Sequence, residues 1–445
     1  MVDSIDKWLK ENGITEVECL VPDMTGNARG KFIPAHKFIK EDSRLPESIL
    51  VQTVTGEYVD EHWDLVQPLD SDMLLEPDPS SVRIVPWAEE PTAQIIHDCY
   101  LRNGDPHPMA TRNVLKKVLA LYEKEGWTPV VAPEVEFYLV SQNTDPDYEL
   151  SPPPGRSGRR EFVRQSYSID GCNEYEPIIN DMYRYCEAQG LDVDTLIHES
   201  GAAQLEINFL HGNALDLADQ VFTFKRTMRE TAFRHGIYAT FMAKPMTNEP
   251  GSAMHIHQSV VDKNGNNIFV NADASESDLF RYYIGGLQRY IPNTISFFAP
   301  NVNSYRRFAK DIAAPVNLEW GYDNRTAGIR VPDSSPAGKR VENRFPGVDV
   351  NPYLAFAASL ACGYLGMKKK IKPTPPCEGH ASEDGEIELP RNLLQALNLL
   401  TECPDLDDVF GADFIRAYAA VKMEEFEAFN RVITSWEREY LLLNV

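Results

Sequence analysis

The side chains able to do chemistry fall in four short stretches. In APEVEFYL, Glu134 and Glu136 are one residue apart in a β-like run, so the period of two puts both carboxylates on one face and turns Val135 and Phe137 to the other. Two ionised carboxylates so close repel unless a cation lies between them, one is protonated, or both reach water. For a lone pair of this kind a solvated face is the commoner arrangement. In HESGAAQLEINF, Glu206 sits inside an apolar-flanked strand and Glu199 lies upstream in a Gly/Ala turn; burying Glu206 unpaired would be costly. In GSAMHIHQS, His255 and His257 share a strand face behind Gly251, a residue that lets a ligand approach the backbone. Either histidine taken singly is more often structural than a ligand. In GKRVENRFPG, Arg340, Glu342 and Arg344 share one face of a short extended run, with Arg306, Arg307, Arg325 and Arg330 shortly upstream. Planar guanidinium donors suit carboxylate and phosphate recognition, the alternative being a set of surface salt bridges.

Hard divalent cations take carboxylate oxygens, with imidazole tolerated by Mn²⁺, and usually appear where phosphates are handled. Five glutamates, one or two histidines and an arginine cluster could supply such a site. Neither a GxxxxGK[ST] loop nor a kinase HRD/DFG pair occurs, so a nucleotide would have to be held through metal and arginine. Each motif is weak alone; together they point to a multi-metal phosphoryl site.

The elements that must position these residues are mixed. With 445 residues, 43% hydrophobic and 25% charged, the chain can bury a substantial core and has the composition of a soluble globular protein. A formal charge of −24 disfavours nucleic acid and anionic membranes and would attract a cationic small substrate, although many acidic enzymes are so for solubility alone. Seven dispersed cysteines without CxxC spacing fit a reducing compartment, and MVDSIDKWLKENG has no export-signal pattern, so a cytoplasmic protein is expected. The apolar run Tyr353–Met367 is too short to span a bilayer and reads as a buried helix. Strands are expected at VECLVPD, GKFIPAH, SILVQTV and AQIIHDC, forming with the first helix a small α+β domain that ends near Gly104. Beyond it, a helix over RNVLKKVLALYEKEG and helices near 180–189 and 216–235 interleave with strands VVAPEVEFYLV, AQLEINFL, YATFMAKP, AMHIHQSVV and GIRVP. The segment SPPPGRSGRRE reads as a loop.

The ordered set PEVEF, HESGAAQLEIN, GSAMHIHQS, NSYRRF, NRTAGIRVP and KRVENRFPGVDVNPYL resembles the glutamine synthetase family, with the strongest match between Pro133 and Leu354. The resemblance implies an α+β fold: a β-grasp domain over residues 1–104, then a catalytic α/β domain over 105–445 with a curved antiparallel sheet that binds ATP and glutamate. It implies a homo-oligomer of two stacked rings of six, with sites between neighbours. It places Glu136, Glu199 and Glu206 on one divalent metal, Mg²⁺ or Mn²⁺, and Glu134, His255 and Glu342 on a second. Gly251, Arg307 and Arg344 would hold glutamate, while His257, Arg325, Arg330 and Arg340 would face the nucleotide. Arg325, Arg330 and Glu342 would carry the catalysis.

Where the sequence departs from ammonia-using members, it does so at the amine. Those members carry a flap glutamate before APV; here KDIAAPV puts Ala313 there, and a methyl group cannot accept a proton. Their DGSS-type stretch is replaced by LVQTVTGEYVDE, and the tyrosine some bacterial members adenylylate is absent from RNLLQALNLL. The closest resemblance is to the γ-glutamylpolyamine and γ-glutamylputrescine synthetases, which join glutamate to an organic amine. On that basis the substrates are ATP, glutamate and a cationic amine such as putrescine, spermidine or spermine. Glu57, Asp60, Glu61 and Asp311 are candidate bases for the amine, and Tyr58 and Trp63 candidate cation–π partners. A ligase for ethanolamine or a monoamine, an ammonia-using glutamine synthetase, and a non-catalytic nucleotide- or amine-sensing scaffold are the alternatives.

Overall fold

The computed structural model of the chain describes residues 2–38, 40, 43–59, 62–65, 69–308, 314–381 and 389–445. Asp60, Glu61, Asp311 and Ala313 lie outside these, and so does the side chain of Trp63.

The first sheet is built from β1 (Glu16–Pro22), β2 (Ala28–Pro34), β3 (Ser43–Pro46), β4 (Asp72–Pro77), β5 (Arg83–Ile84) and β6 (Thr92–Tyr100), in the order β2-β1-β6-β4-β3 with β5 on β6. β1 runs parallel to β6, which needs a long crossover rather than a hairpin. Ile5 and Leu9 of the amphipathic helix Val2–Glu11 pack with Val17, Cys19, Ala93 and Ile95 on one face. Leu20 and Ile96 belong to the main core instead. The expected strand at SILVQTV is a 3-10 helix, Glu47–Val51. Its apolar residues Leu50 and Val51 are buried without a ladder partner, so a short β-branched run did not decide its backbone.

The second sheet comprises β7 (Trp127–Ser141), β8 (Val193–His198), β9 (Gln204–Phe209), β10 (Gly212–Asn213), β11 (Ile237–Thr240), β12 (Met254–Asp262), β13 (Trp320–Tyr322), β14 (Ile329–Val331) and β15 (Val341–Asn343). Its order is β13-β14-β15-β12-β7-β9-β8, with β10 and β11 also on β7, and every pairing is antiparallel except β13 with β14. Along β7, Val131 and Val135 point into the core while Ala132 and Glu134 are only half-buried. One face is therefore apolar and the other carries the chemistry.

Helices Thr111–Lys124, Ala214–Arg234, Asp278–Phe298 and Pro352–Lys369 back the core side. The first places Val114, Leu115, Val118 and Tyr122 inward at helical spacing. The last is buried on nearly all sides, as the apolar run around Tyr353–Met367 implies. Among the described residues no helix is long and apolar enough to cross a membrane.

Candidate active site

Strand register gathers the four stretches into one patch. Glu134 pairs with Asn208 and Glu136 with Glu206 across β7 and β9, His255 pairs with Glu134 across β12 and β7, and Glu342 pairs with His257 and Arg330. Directly opposed residues share a sheet face, so residues as distant in sequence as Glu134 and Glu342 become neighbours. Ligand atoms of Glu136, Glu199 and Glu206 lie within 4.8 Å of one another, as do those of Glu134, Glu206 and His255, and those of Glu134, His257 and Glu342.

Glu199 reaches this patch from the turn between β8 and β9. Gly201 is needed there because a Cβ would meet the Tyr138 hydroxyl at 2.0 Å, and Ala203 takes a left-handed backbone at φ 58°. That strained residue is held by its N–H, which donates to Glu161 Oε2 at 2.7 Å; His198 Nε2 donates to the same oxygen at 3.0 Å. Glu161, from the arginine-rich loop, went unnoticed in the sequence because nothing in its spacing marks it.

Charge is distributed unevenly over the carboxylates. Burial and the neighbouring Glu199 carboxylate push Glu136 up to about 8, although Ala253 N–H donates to its Oε2 at 2.8 Å and Gln204 Nε2 at 3.2 Å. Burial raises Glu199 and raises Glu206 further, with repulsion from Glu134 and Glu136 adding to it at Glu206. At Glu134 burial opposes ionisation, but two imidazole donors outweigh it and hold the carboxyl below its usual range. His255 Nδ1 donates to Glu134 Oε2 at 3.1 Å and His257 Nε2 to Oε1 at 2.9 Å. Arg340 Nε donates to His257 Nδ1 at 3.1 Å, which fixes the tautomer. Burial, then the Arg344 charge, lower His255 to about 4. Glu342 is fully buried; the arginine and histidine charges overcome that burial and bring it to about 2. Arg330 Nη1 donates to its Oε2 at 2.7 Å and Arg344 Nη1 to its Oε1.

Two cavities open on the patch. One, of about 340 Å³, is lined by Glu134, Glu136, Glu199 and Glu206 together with Gly251, His255, Arg307, Arg325 and Arg344; Glu342 lines neither cavity. The other, of about 350 Å³, is lined by His257, Arg340, Asp194, Leu210 and His211. Glu134 and Asn208 line both. Gly251 lets the chain pass close to Arg307, since a Cβ there would meet Arg307 Cγ at 2.6 Å. The Arg307 guanidinium donates to the carbonyls of Phe345 and Arg344 at 2.8 and 3.0 Å.

Most of the residues singled out in the sequence thus converge. Arg330 lines neither cavity and is engaged by Glu342 and by Asp323, to which Nη2 donates at 2.6 Å. Arg306 is exposed and stacks over Phe429 at 5.9 Å. Glu57 and Tyr58 are exposed and line neither cavity; their turn packs on a C-terminal helix, Val54 N–H donating to Glu425 Oε1 at 2.6 Å. Gln204 and Asn208 were missed because neutral amides carry no charge or spacing signal.

The carboxylate–imidazole donor set, with three groups of ligand atoms in mutual reach and an unpartnered amide oxygen at Asn208, fits hard divalent ions. Comparison with known proteins agrees. Residues 108–441 match the model of the glutamine synthetase catalytic domain. The chain is 33% identical to the gamma-glutamylputrescine synthetase PuuA of Escherichia coli (strain K12), covering 96% of this chain and 92% of that one. It is 31% identical to a glutamate–isopropylamine ligase of a Pseudomonas species (97% and 95%) and 34% identical to a glutamine synthetase of Methanosarcina mazei (83% of each). The solved ligand-free structure of GmaS superimposes with a TM-score of 0.84 at 28% identity over 99% of both chains. A shared catalytic-domain model over three-quarters of the chain, a shared fold and full-length relatives place this protein in the glutamine synthetase family, as an ATP-dependent ligase.

Proposed function

We propose that the protein joins the side-chain carboxylate of glutamate to an organic amine, a cationic di- or polyamine such as putrescine, spermidine or spermine, using ATP. The observation that carries this reading is the pair of cavities meeting at Glu134 and Asn208, one lined by arginine and carboxylates and the other by His257 and Arg340. That arrangement would seat two substrates in adjoining cavities with one meeting point.

In this reading Gly251, Arg307 and Arg344 hold glutamate, and His257, Arg325 and Arg340 face the nucleotide. Glu136, Glu199 and Glu206 would hold one ion, Mg²⁺ or Mn²⁺, and Glu134, His255 and Glu342 another; when bound, these ions supply charge neutralisation around the transferred phosphoryl group. The glutamate carboxylate oxygen attacks the γ-phosphorus and the bond to ADP breaks, giving γ-glutamyl phosphate. Arg325 lines the cavity where charge develops, while Arg330 acts through Glu342, fixing its orientation. The amine nitrogen then attacks the acyl carbon, loses a proton, and phosphate leaves. Glu57 lines neither cavity of its own chain; assembly as two stacked rings of six, which the family resemblance implies, would leave it as a candidate base for a neighbouring copy. The division near Gly104 and a cytoplasmic location belong to the same reading.

A second reading, an ammonia-using glutamine synthetase, is favoured by relatives of that activity at 34% identity. Phosphate release from glutamate and ATP decides between them, with ammonium, putrescine, spermidine, spermine, ethanolamine or isopropylamine as acceptor. An organic amine should exceed ammonium in kcat/KM by roughly two orders of magnitude, the discrimination available from one well-fitted apolar contact and more. Turnover with ammonium as the best acceptor would refute the proposal, and no turnover with any of them would favour a sensing scaffold.

A further inference from the structure

Asn208 stands on the floor of the cleft, where both cavities open. It follows Glu206 by two residues on β9, so it shares that residue's face, and it pairs in register with Glu134. Directly opposed side chains on antiparallel strands have Cβ atoms about 5 Å apart, within reach of one shared ion. Asn208 and Glu134 are the residues common to both cavities.

The Asn208 Oδ1 atom is buried and accepts no hydrogen bond. Gln204, four residues back on the same strand, shows the contrast: its Nε2 donates to Glu136, to the Gly251 carbonyl and to Ser252, and its Oε1 accepts from Gly201 N–H at 2.9 Å. An amide oxygen can only accept. Across the register it faces Glu134 on β7, a carboxylate that offers no donor when ionised, and Thr195 on β8, whose hydroxyl donates to Asp194 at 3.2 Å instead, so a cation is what would satisfy it.

We propose that Asn208 gives its side-chain oxygen to the divalent ion held at Glu134, where the two cavities meet, so that this ion has amide, carboxylate and imidazole donors together. The inference rests on the two-ion reading above. It makes Asn208 a binding residue at the point where the phosphoryl group must pass from one cavity to the other.

Titration calorimetry of Mn²⁺ alone into the full-length, chelator-treated protein tests this, with circular dichroism confirming the fold of each variant. Asn208→Leu keeps the volume and removes the oxygen; it should weaken one class of Mn²⁺ sites by roughly tenfold, the usual scale for losing a group that tunes a metal site, and leave the other class unchanged. Asn208→Asp keeps the oxygen and adds charge, so it should bind at least as tightly as the native protein, and this variant carries the test if the leucine variant fails to fold. Native affinity in Asn208→Leu overturns the assignment. So does weakened binding in Asn208→Asp, which would instead mark the amide as a hydrogen-bond donor to Glu134. Glu136→Gln is the control: if it too binds Mn²⁺ as the native protein does, the ion sites themselves are wrong.

Discussion

Glu134 and Glu136 are alike in sequence and opposite in state. Glu134 is held ionised by His255 and His257, whereas Glu136, buried beside Glu199, keeps its proton up to about 8. Binding a cation requires the ionised carboxylate. At pH 7 the ion must therefore displace a proton from Glu136, and also from Glu206, whose carboxyl is raised well above the usual range by burial and its neighbours, so apparent affinity should rise with pH. Calorimetry of Mn²⁺ binding in buffers of different ionisation enthalpy should show proton release at pH 7, reduced by about one proton in Glu136→Gln because the amide has none to give. Equal release in the two proteins would place the displaced proton elsewhere. The charged residues of this site were legible in the sequence, since like charges at a period of two inside apolar runs demand an explanation. Asn208, Gln204 and Glu161 were not, because their roles depend on register and on a loop folding back, neither of which a local pattern encodes.

The strands hold their register because the elements behind them are locked together. Arg112, on the helix Thr111–Lys124, is almost fully buried. Its guanidinium donates to Asp219 at 2.8 and 3.0 Å, to Asp98 of β6 at 2.5 Å and to Asp78 at 2.6 Å, and Tyr353 donates to Asp219 at 2.6 Å. Four elements of both sheets' surroundings thus meet at one cation. Removing one partner of a buried ion pair strands the others, so Arg112→Ala should lose about 3–5 kcal/mol of stability. Urea denaturation should show Arg112→Met with Asp219→Leu to be less destabilised than Arg112→Ala; the reverse order would deny the cluster its role. At this scale the sequence was an incomplete guide. Periodicity marked β7, β9, β12 and the helix Thr111–Lys124 well. It misassigned Glu47–Val51, where burial came from tertiary packing rather than a ladder, and left the long helix Asp278–Phe298 unmarked.

Over the whole molecule, one apolar core runs from Leu20, Val51 and Ile96 of the first sheet region through Leu115 and Phe224 to Leu360, so the two sheets share an interior. What the core supports is a polar face with two cavities joined at Glu134 and Asn208, an arrangement suited to bringing a carboxylate and a nucleotide together from opposite sides. The central claim is that the carboxylate oxygen of glutamate ends on the released phosphate. Glutamate labelled with ¹⁸O in its side-chain carboxylate, turned over with ATP and the preferred amine, tests it most directly by mass analysis of the phosphate. The mechanism requires one ¹⁸O atom in each phosphate formed from fully labelled glutamate; phosphate free of label would mean that the carboxylate was never phosphorylated.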